Sequence, residues 1–145
     1  MSGITFGWFQ WALLSAIFAA LTAIFAKVGI QQIDADYATL LRTIMITGLL
    51  ALFVWASGKW SNPAALPTKS LIFLALSALA TGASWVCYFR ALQIGNASQV
   101  APIDKFSIVL VVLFAVAFLG ERPGPREWGG ITLISAGVLL LAFKK

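Results

Sequence analysis

Long apolar runs separated by short polar linkers make up this chain. A helix that crosses a bilayer needs about 20 mostly apolar residues. Five runs reach or approach that length, at residues 6–28, about 37–57, 70–92, 98–119 and 128–143. They are continuous rather than alternating, and a spanning segment must satisfy its own backbone hydrogen bonds, so we predict helices rather than strands. The expected fold is all-α, with five transmembrane helices in a single domain over residues 1–145.

The linkers carry signals that end one helix and begin the next. Asp34 or Asp36 is expected to cap the second helix, because a carboxylate can accept hydrogen bonds from the first free backbone amides. The linkers at residues 59–69 and 120–126 each contain two prolines, which cannot continue a helix. These signals place the linkers between the same five runs.

Composition supports a membrane protein and excludes several other classes. The chain is 61% hydrophobic and 10% charged, with a mean hydropathy of +0.94, whereas soluble domains are about 25% charged. The net charge is +5, but apart from the terminal Lys144–Lys145 pair the basic residues are scattered singly, so we expect no nucleic-acid partner. There is no histidine and Cys87 is the one cysteine. We therefore expect no metal, no cofactor and no enzyme site.

The basic residues that flank the helices do not specify an orientation. Basic residues normally mark the cytoplasmic side. With the N-terminus inside, four would face each side: the inner set is Lys59, Lys69, Arg122 and Arg126, and the outer set is Lys27, Arg90, Lys144 and Lys145. We predict dual topology, with copies inserted both ways and paired antiparallel. The alternative is a real bias in which a position such as Lys27 is not a true flank.

Three charged residues lie well inside apolar runs: Arg42, Asp104 and Lys105. A charge at the bilayer centre costs about 2.5–3.5 kcal/mol, and such residues face a bundle interior or a wet cavity. We expect Asp104 to pair with Arg42 or Arg90 from another helix. Lys27 and Arg90, near helix ends, could instead reach the interface, and we favour that for Lys27.

Several side chains near these charges could line a substrate cavity. Lys105 shares a small, polar helix face with Ser98, Ala101 and Pro102. Trp85 and Tyr88 could hold a cation or an apolar group. The candidate substrate-binding or coupling residues are therefore Arg42, Trp85, Tyr88, Arg90, Asp104 and Lys105. The alternatives are a structural ion-pair network and ordinary aromatic packing. An excess of basic groups would favour an anionic or zwitterionic ligand.

The whole chain resembles the EamA family of the drug/metabolite transporter superfamily. The resemblance is carried by WALLSAIFAALTAIFAKVGI at residues 11–30, by Arg42 in the second run, by YFRALQIGNASQVAP at residues 88–102 and by LGER at residues 119–122. Full-length members carry two such units, and this chain has one. The resemblance thus implies half of an inverted-repeat transporter that pairs with itself or with a paralogue.

The last run also resembles the dimerisation helix of the small multidrug resistance family. Gly130 and Gly137 lie two helical turns apart on one face and would admit a partner helix closely; the alternative is packing within one protomer. That family uses a membrane-embedded glutamate in its first helix, which is absent here, so its proton-coupled export of hydrophobic cations is not expected. Glu121 is expected to bond loop amides, Arg122 or Arg126.

Together these observations predict a secondary transporter of the cell inner membrane. The expected activity is export of a small metabolite by alternating access, performed by an antiparallel homodimer. Two alternatives stay open: a flippase for a lipid-linked sugar, which the same superfamily implies, and a non-transporting membrane scaffold subunit.

Overall fold

The computed structural model describes residues 7–142, with nothing stated of the side chain of Ala64. Within these residues every regular element is a helix, as the apolar runs predict. The chain divides into two compact units, Met1–Ile94 and Gly95–Lys145, and the single domain over residues 1–145 stays a prediction. The predicted helix ends at Phe6 and Phe143, and the Lys144–Lys145 pair, lie outside the described residues.

The first unit contains three long helices. They are α1 (Trp8–Gly29), α2 (Ala35–Ala56) and α3 (Thr68–Ile94), with a short 3₁₀ turn at Pro63–Ala65 in the proline-containing linker. Helix α3 packs against both α1 and α2. It runs two residues beyond its predicted range at each end.

Asp34 is the N-cap of α2, which confirms one of the two predicted candidates. Its carboxylate accepts hydrogen bonds from the backbone amides of Asp36 and Tyr37, each at 3.0 Å. These amides have no partner inside the helix, so the cap satisfies them. Asp36 is left free to use its own carboxylate elsewhere.

The buried residues of the first unit gather where α1 ends, α2 begins and α3 ends. They are Ala23, Ile30, Ala35, Ala38, Thr39, Phe89 and Leu92. Elsewhere in the unit large apolar side chains are exposed, including Trp8 at 83%. Such exposure is unfavourable in water and is expected when lipid surrounds the helices.

The second unit contains three helices, with a wide turn after the second. They are α4 (Ala97–Asp104), α5 (Ser107–Phe114) and α6 (Pro125–Ala142), and a π-helical turn at Ala115–Leu119 extends α5. Helix α6 packs against α4 and α5. Gly120 ends the π turn with φ +69°, a left-handed conformation that glycine adopts at little cost.

The run predicted as a helix over residues 98–119 forms the candidate span Ala97–Leu119, but its helix is interrupted once. Helix α4 ends at Asp104 and α5 begins at Ser107, so Lys105 and Phe106 form a turn between them. Here bonds between residues three apart join the backbone: the Phe106 amide donates to Ile103 O at 2.9 Å and the Ile108 amide to Lys105 O at 3.0 Å. Pro102, inside α4, has no amide hydrogen to donate, which weakens the preceding turn.

Helix α6 begins three residues before its predicted start at Trp128. Pro125 is its first residue, a position where the missing amide hydrogen costs nothing. The Glu127 carboxylate reaches back and accepts a hydrogen bond from the Gly124 amide, as in a capping box.

Four segments of the described chain are long and apolar enough to cross a membrane. They are Trp8–Gly29, Ala35–Ala56, Thr68–Ile94 and Ala97–Leu119, the last including the turn at Lys105. Helix α6 is not among them. The described chain is thus all-helical with four candidate spans, in partial agreement with the predicted five.

Candidate functional site

Arg42 of α2 lies over two aromatic side chains of α3. Its guanidinium carbon is 4.5 Å from the ring centroid of Trp85 and 5.5 Å from that of Phe89. Such contacts contribute about 0.5–2 kcal/mol, more as water is removed. Within residues 7–94, no carboxylate lies within salt-bridge distance of Arg42. Aromatic faces, rather than an acid, offset its charge in this unit.

A cavity of about 410 Å³ lies between α1 and α2 beside Arg42. Small-molecule pockets typically span about 300–1,000 Å³. Most of the lining is apolar, and Arg42 is the charged residue in it. The lining residues are Thr22, Phe25, Ala26, Gly29, Ile30, Ile33, Ala38, Leu41, Arg42, Met45 and Phe89.

The two predicted aromatic residues, Trp85 and Tyr88, are not among the residues that line this cavity. Trp85 is half-buried and contacts the Arg42 guanidinium. Tyr88 is half-buried, and its ring centroid lies 6.4 Å from that of Phe89. The buried Phe89, 3% exposed, is therefore the α3 aromatic that reaches the cavity. A role for Trp85 and Tyr88 in substrate binding stays a prediction.

Three polar contacts join the helices at the packed end of the first unit. We call them the polar clasp; they join Arg90 to Asp36, Lys27 to Leu92 and Gln93 to Ile33. The clasp surrounds the last turns of α3, so that end is fixed to α1, to α2 and to their connection.

The ion pair of the clasp is bidentate. Arg90 Nε donates to Asp36 Oδ1 at 2.8 Å and Nη2 donates to Oδ2 at 2.6 Å. Parallel donors on a planar guanidinium match the two carboxylate oxygens in geometry as well as charge. Both side chains are exposed, so the pair contributes orientation more than stability.

Lys27 stabilises the end of α3. Its ammonium donates to the Leu92 carbonyl at 2.6 Å. The last carbonyls of a helix have no intrahelical partner and carry partial negative charge, so a cation is favourable there. The ammonium thus has a partner at the end of α3, and the expectation that Lys27 reaches the membrane interface stays a prediction.

Asp104 and Arg90 each have a partner within their own unit, and the predicted pairing of Asp104 with Arg42 or Arg90 stays a prediction. Arg90 binds Asp36, and Asp104 binds Lys105, with Lys105 Nζ 3.3 Å from Asp104 Oδ2. Both Asp104 and Lys105 lie where α4 gives way to the turn before α5. An irregular turn allows neighbouring side chains to meet in a way that a straight helix hinders.

Glu121 does not make the contacts predicted for it. Among residues 95–142, its carboxylate forms no ion pair with Arg122 or Arg126. The acid that bonds a loop amide in this linker is Glu127, through Gly124.

The glycine face of α6 is open within the described residues. A side-chain carbon placed at Gly130 or Gly137 would meet no other atom within 4 Å. Val138 is buried, and Ile131 and Ser135 are half-buried, so α6 packs inside its unit through a different face. These contacts do not account for the two glycines, whose role in dimerisation stays a prediction.

Sequence reasoning missed Asp36 and Phe89 as parts of this region. Asp36 was a candidate cap, and nothing in the sequence linked it to Arg90, 54 positions away. Phe89 is one of 11 phenylalanines in an apolar chain. Its neighbours Trp85 and Tyr88, at helical spacing, were the available signal.

The sequence profile of the EamA-like transporter family matches residues 6–143. The "Uncharacterized transporter in cobO 3'region" of Sinorhizobium sp is 57% identical over 135 residues, which cover 93% of this chain and 96% of that protein.

A second similarity is more distant. The "Probable 4-amino-4-deoxy-L-arabinose-phosphoundecaprenol flippase subunit ArnE" of Yersinia pestis (strain Pestoides F) is 33% identical over 89 residues, covering 61% of this chain and 78% of that protein. The corresponding protein of Yersinia pseudotuberculosis serotype O:3 (strain YPIII) shows the same identity and coverage. No solved structure matches the chain.

The Asp36–Arg90 pair generates a test by charge exchange. Asp36→Arg and Arg90→Asp should each lower the thermal unfolding midpoint in detergent, because each brings two like charges together. The double exchange should recover part of the loss; recovery is partial because the introduced arginine would stand at the N-terminus of α2, where a cation is unfavourable. Intrinsic fluorescence follows the unfolding.

Lys69→Glu is the control, since it reverses an exposed charge in the first turn of α3. Its effect should add to that of Arg90→Asp, because the two positions share no partner. Simple additivity of Asp36→Arg and Arg90→Asp would show that the pair does not couple α2 to α3.

Proposed function

This chain belongs to the EamA-like transporter family, and we propose that it is one half of a secondary transporter that exports a small metabolite across the inner membrane by alternating access. The proposed substrate is anionic or zwitterionic. The other half is an oppositely inserted second copy, or a paralogue. The proposal assigns no catalytic step to the chain.

The observation that carries this proposal is the interrupted helix at Asp104 and Lys105. Transporters often bind substrates and coupling ions where a transmembrane helix is broken, because unwound backbone is tolerated at membrane depth only beside protein or a wet cavity. Here the break falls within the candidate span Ala97–Leu119 and carries both an acid and a base. We therefore assign Lys105 to the substrate and Asp104 to the substrate or a coupling ion.

An antiparallel pair follows from the odd number of proposed spans and the balanced charges. Helix α6 is taken as the fifth span, so each copy lacks the inverted twin around which many transporters are built. The flanking basic residues divide four against four, which gives neither orientation an advantage. Two copies inserted in opposite senses would supply the missing half.

The open face of α6 supports the same arrangement. Gly130, Leu133, Gly137 and Leu140 follow one another at spacings of three, four and three, which places them along one side of the helix. Leu133 and Leu140 are 76% and 77% exposed. Small residues between exposed leucines allow two helices to approach closely, so we place the dimer contact here.

A second candidate function is flipping of a lipid-linked sugar. The similarity to the flippase subunit of Yersinia pestis favours it. The sugar in that protein's name carries an amino group, so a membrane-impermeant amine reagent would report its appearance in the outer leaflet of liposomes. Labelling that depends on this chain would favour the flippase, competition by soluble metabolites would favour the metabolite transporter, and the absence of both activities would favour a scaffold.

Replacing Lys105 tests the transport site. A thermal-shift screen of purified protein against metabolites identifies a ligand, whose flux is then measured in proteoliposomes. Lys105→Ala should abolish flux, because it removes the proposed ligand-binding charge at the helix break, and should leave the dimer fraction unchanged. The control Lys59→Ala, at an exposed position after α2, should retain flux. Full flux with Lys105→Ala would refute the assignment.

Topology is tested by labelling a C-terminal tag in intact and permeabilised cells. Dual topology predicts that an impermeant reagent labels part of the population from outside and the remainder only after permeabilisation. Adding two lysines to the linker at residues 59–69 should shift the population toward the orientation with that linker inside. Labelling from one side alone in the unmodified protein would rule out dual topology.

The glycine face is tested with Gly137→Leu. A Cβ atom at Gly137 meets nothing within 4 Å among the described residues, so we expect the protomer to fold while the proposed partner is pushed away. The dimer fraction, measured by single-molecule photobleaching in liposomes, should fall. Ala136→Leu, one position earlier and about 100° around the helix, should leave it nearly unchanged. Equal dimer fractions in the wild type and Gly137→Leu would place the interface elsewhere.

A further inference from the structure

We propose that the cavity beside Arg42 selects organic anions that carry a compact apolar body. In this assignment a carboxylate or phosphate monoester accepts hydrogen bonds from the Arg42 guanidinium, and the body lies in the apolar groove between α1 and α2. This names a substrate class for the proposed transporter and therefore rests on the proposed function.

Arg42 brings a permanent positive charge to the cavity. Its guanidinium carries five donors and cannot lose its charge in a protein. Within residues 7–94 no acid lies within salt-bridge distance of it and no acceptor is hydrogen-bonded to it; the rings of Trp85 and Phe89 contact its face, and Tyr88 interacts with it electrostatically. Contact with aromatic faces leaves N–H groups unused. An oxyanion is the chemical partner that fits them best.

Arg42 also differs from the other arginine of this unit. Arg90 is exposed and already holds Asp36 in a bidentate pair. Arg42 is half-buried and lines the cavity. Of the two, only Arg42 combines access to the cavity with donors that its own unit leaves unused.

The apolar lining of the cavity favours a ligand with an apolar body. Phe25 from α1 and Leu41 and Met45 from α2 line the cavity, and each exposes a large share of its side chain, with Leu41 lowest at 38%. An apolar body placed against them would bury its own surface away from water. A small hydrated anion gains no such burial, and an amine with the same body meets the charge of Arg42 unfavourably.

The size of the cavity favours a compact ligand. About 410 Å³ suits a small molecule, whereas a two-chain phospholipid would need room beyond these lining residues. Phe89 is buried and forms one wall of the cavity. The favoured occupant is thus a soluble or sparingly soluble organic acid rather than a membrane lipid.

Equilibrium dialysis of 4-phenylbutyrate against the protein in lipid nanodiscs tests this assignment, with empty nanodiscs subtracted. Saturable binding is expected for 4-phenylbutyrate and its phosphate analogue 4-phenylbutyl phosphate, and not for 4-phenylbutylamine, 4-phenylbutanol or acetate. Arg42→Gln should weaken binding by about tenfold or more, the effect of losing hydrogen bonds to a charged group. Arg42→Lys should retain part of it, because the charge stays and the planar fork is lost.

The control Lys69→Gln removes an equal charge from the same unit. It lies 20 residues before Phe89 along α3, about 30 Å at helical rise, and should leave binding unchanged. Size-exclusion profiles of every variant establish that the dimer and fold survive. Saturable binding by the amine or the alcohol equal to that of the acid, or unchanged binding in Arg42→Gln, would overturn the assignment.

A separate displacement experiment tests whether a lipid occupies the cavity. Phosphatidic acid that displaces 4-phenylbutyrate, in an Arg42-dependent manner and at lower concentration than the acid itself, would overturn the compact-ligand assignment. Flux measurements distinguish failure of the proposed ligand class from failure of the transporter proposal. Transport of another solute without Arg42-dependent anion binding would refute the ligand class alone. Arg42-dependent binding without flux of any bound anion would refute transport alone.

Discussion

Hydrocarbon offers no partner to a charge or to a free backbone group, and this constraint shapes every polar contact in the chain. An ionised side chain at membrane depth must find a counter-charge, a dipole, an aromatic face or water. In the first unit Arg42 has aromatic faces, Arg90 a carboxylate and Lys27 a helix-end carbonyl. These three basic groups therefore have three different kinds of partner. Lys69, at the exposed start of α3, is the remaining basic group on the three long helices.

The kind of partner distinguishes basic groups whose donors are used to hold the helices together from a basic group whose donors are still available to a ligand. Arg90 and Lys27 place their donors on protein acceptors at the packed end, where the buried residues also gather. A ligand could reach those donors only by breaking the clasp. Arg42 gives its face to Trp85 and keeps unused donors beside a cavity. The same residue type thus holds two helices together at one position and, in the proposed assignment, binds a ligand at the other, because its surroundings differ.

Helix positions could be predicted from the sequence because lipid permits so few alternatives. Continuous apolar runs can only become helices, and the Asp34 cap and the prolines fixed their approximate ends. The break at Lys105 was missed, since Pro102 is compatible with either a kink or a full interruption. The Asp36–Arg90 pair was missed because pairing across 54 positions depends on how α2 and α3 pack, which no local pattern encodes. Arg42, Trp85 and Tyr88 could be named in advance because charge and aromatic rings are conspicuous in an apolar run.

The same constraint applies to the backbone groups at the break near Lys105. A turn inside a candidate span leaves carbonyl and amide groups that a continuous helix would have paired, and lipid cannot satisfy them. The described bonds between residues three apart satisfy part of this need, and the Asp104–Lys105 pair brings two further polar groups to the same place. An interruption of this cost persists where protein or water covers it. A second copy that enclosed the turn would supply that cover, and in the proposed transporter it would also enclose the space in which a substrate meets Lys105, so the proposed dimer and the proposed transport site would answer the same hydrogen-bonding requirement.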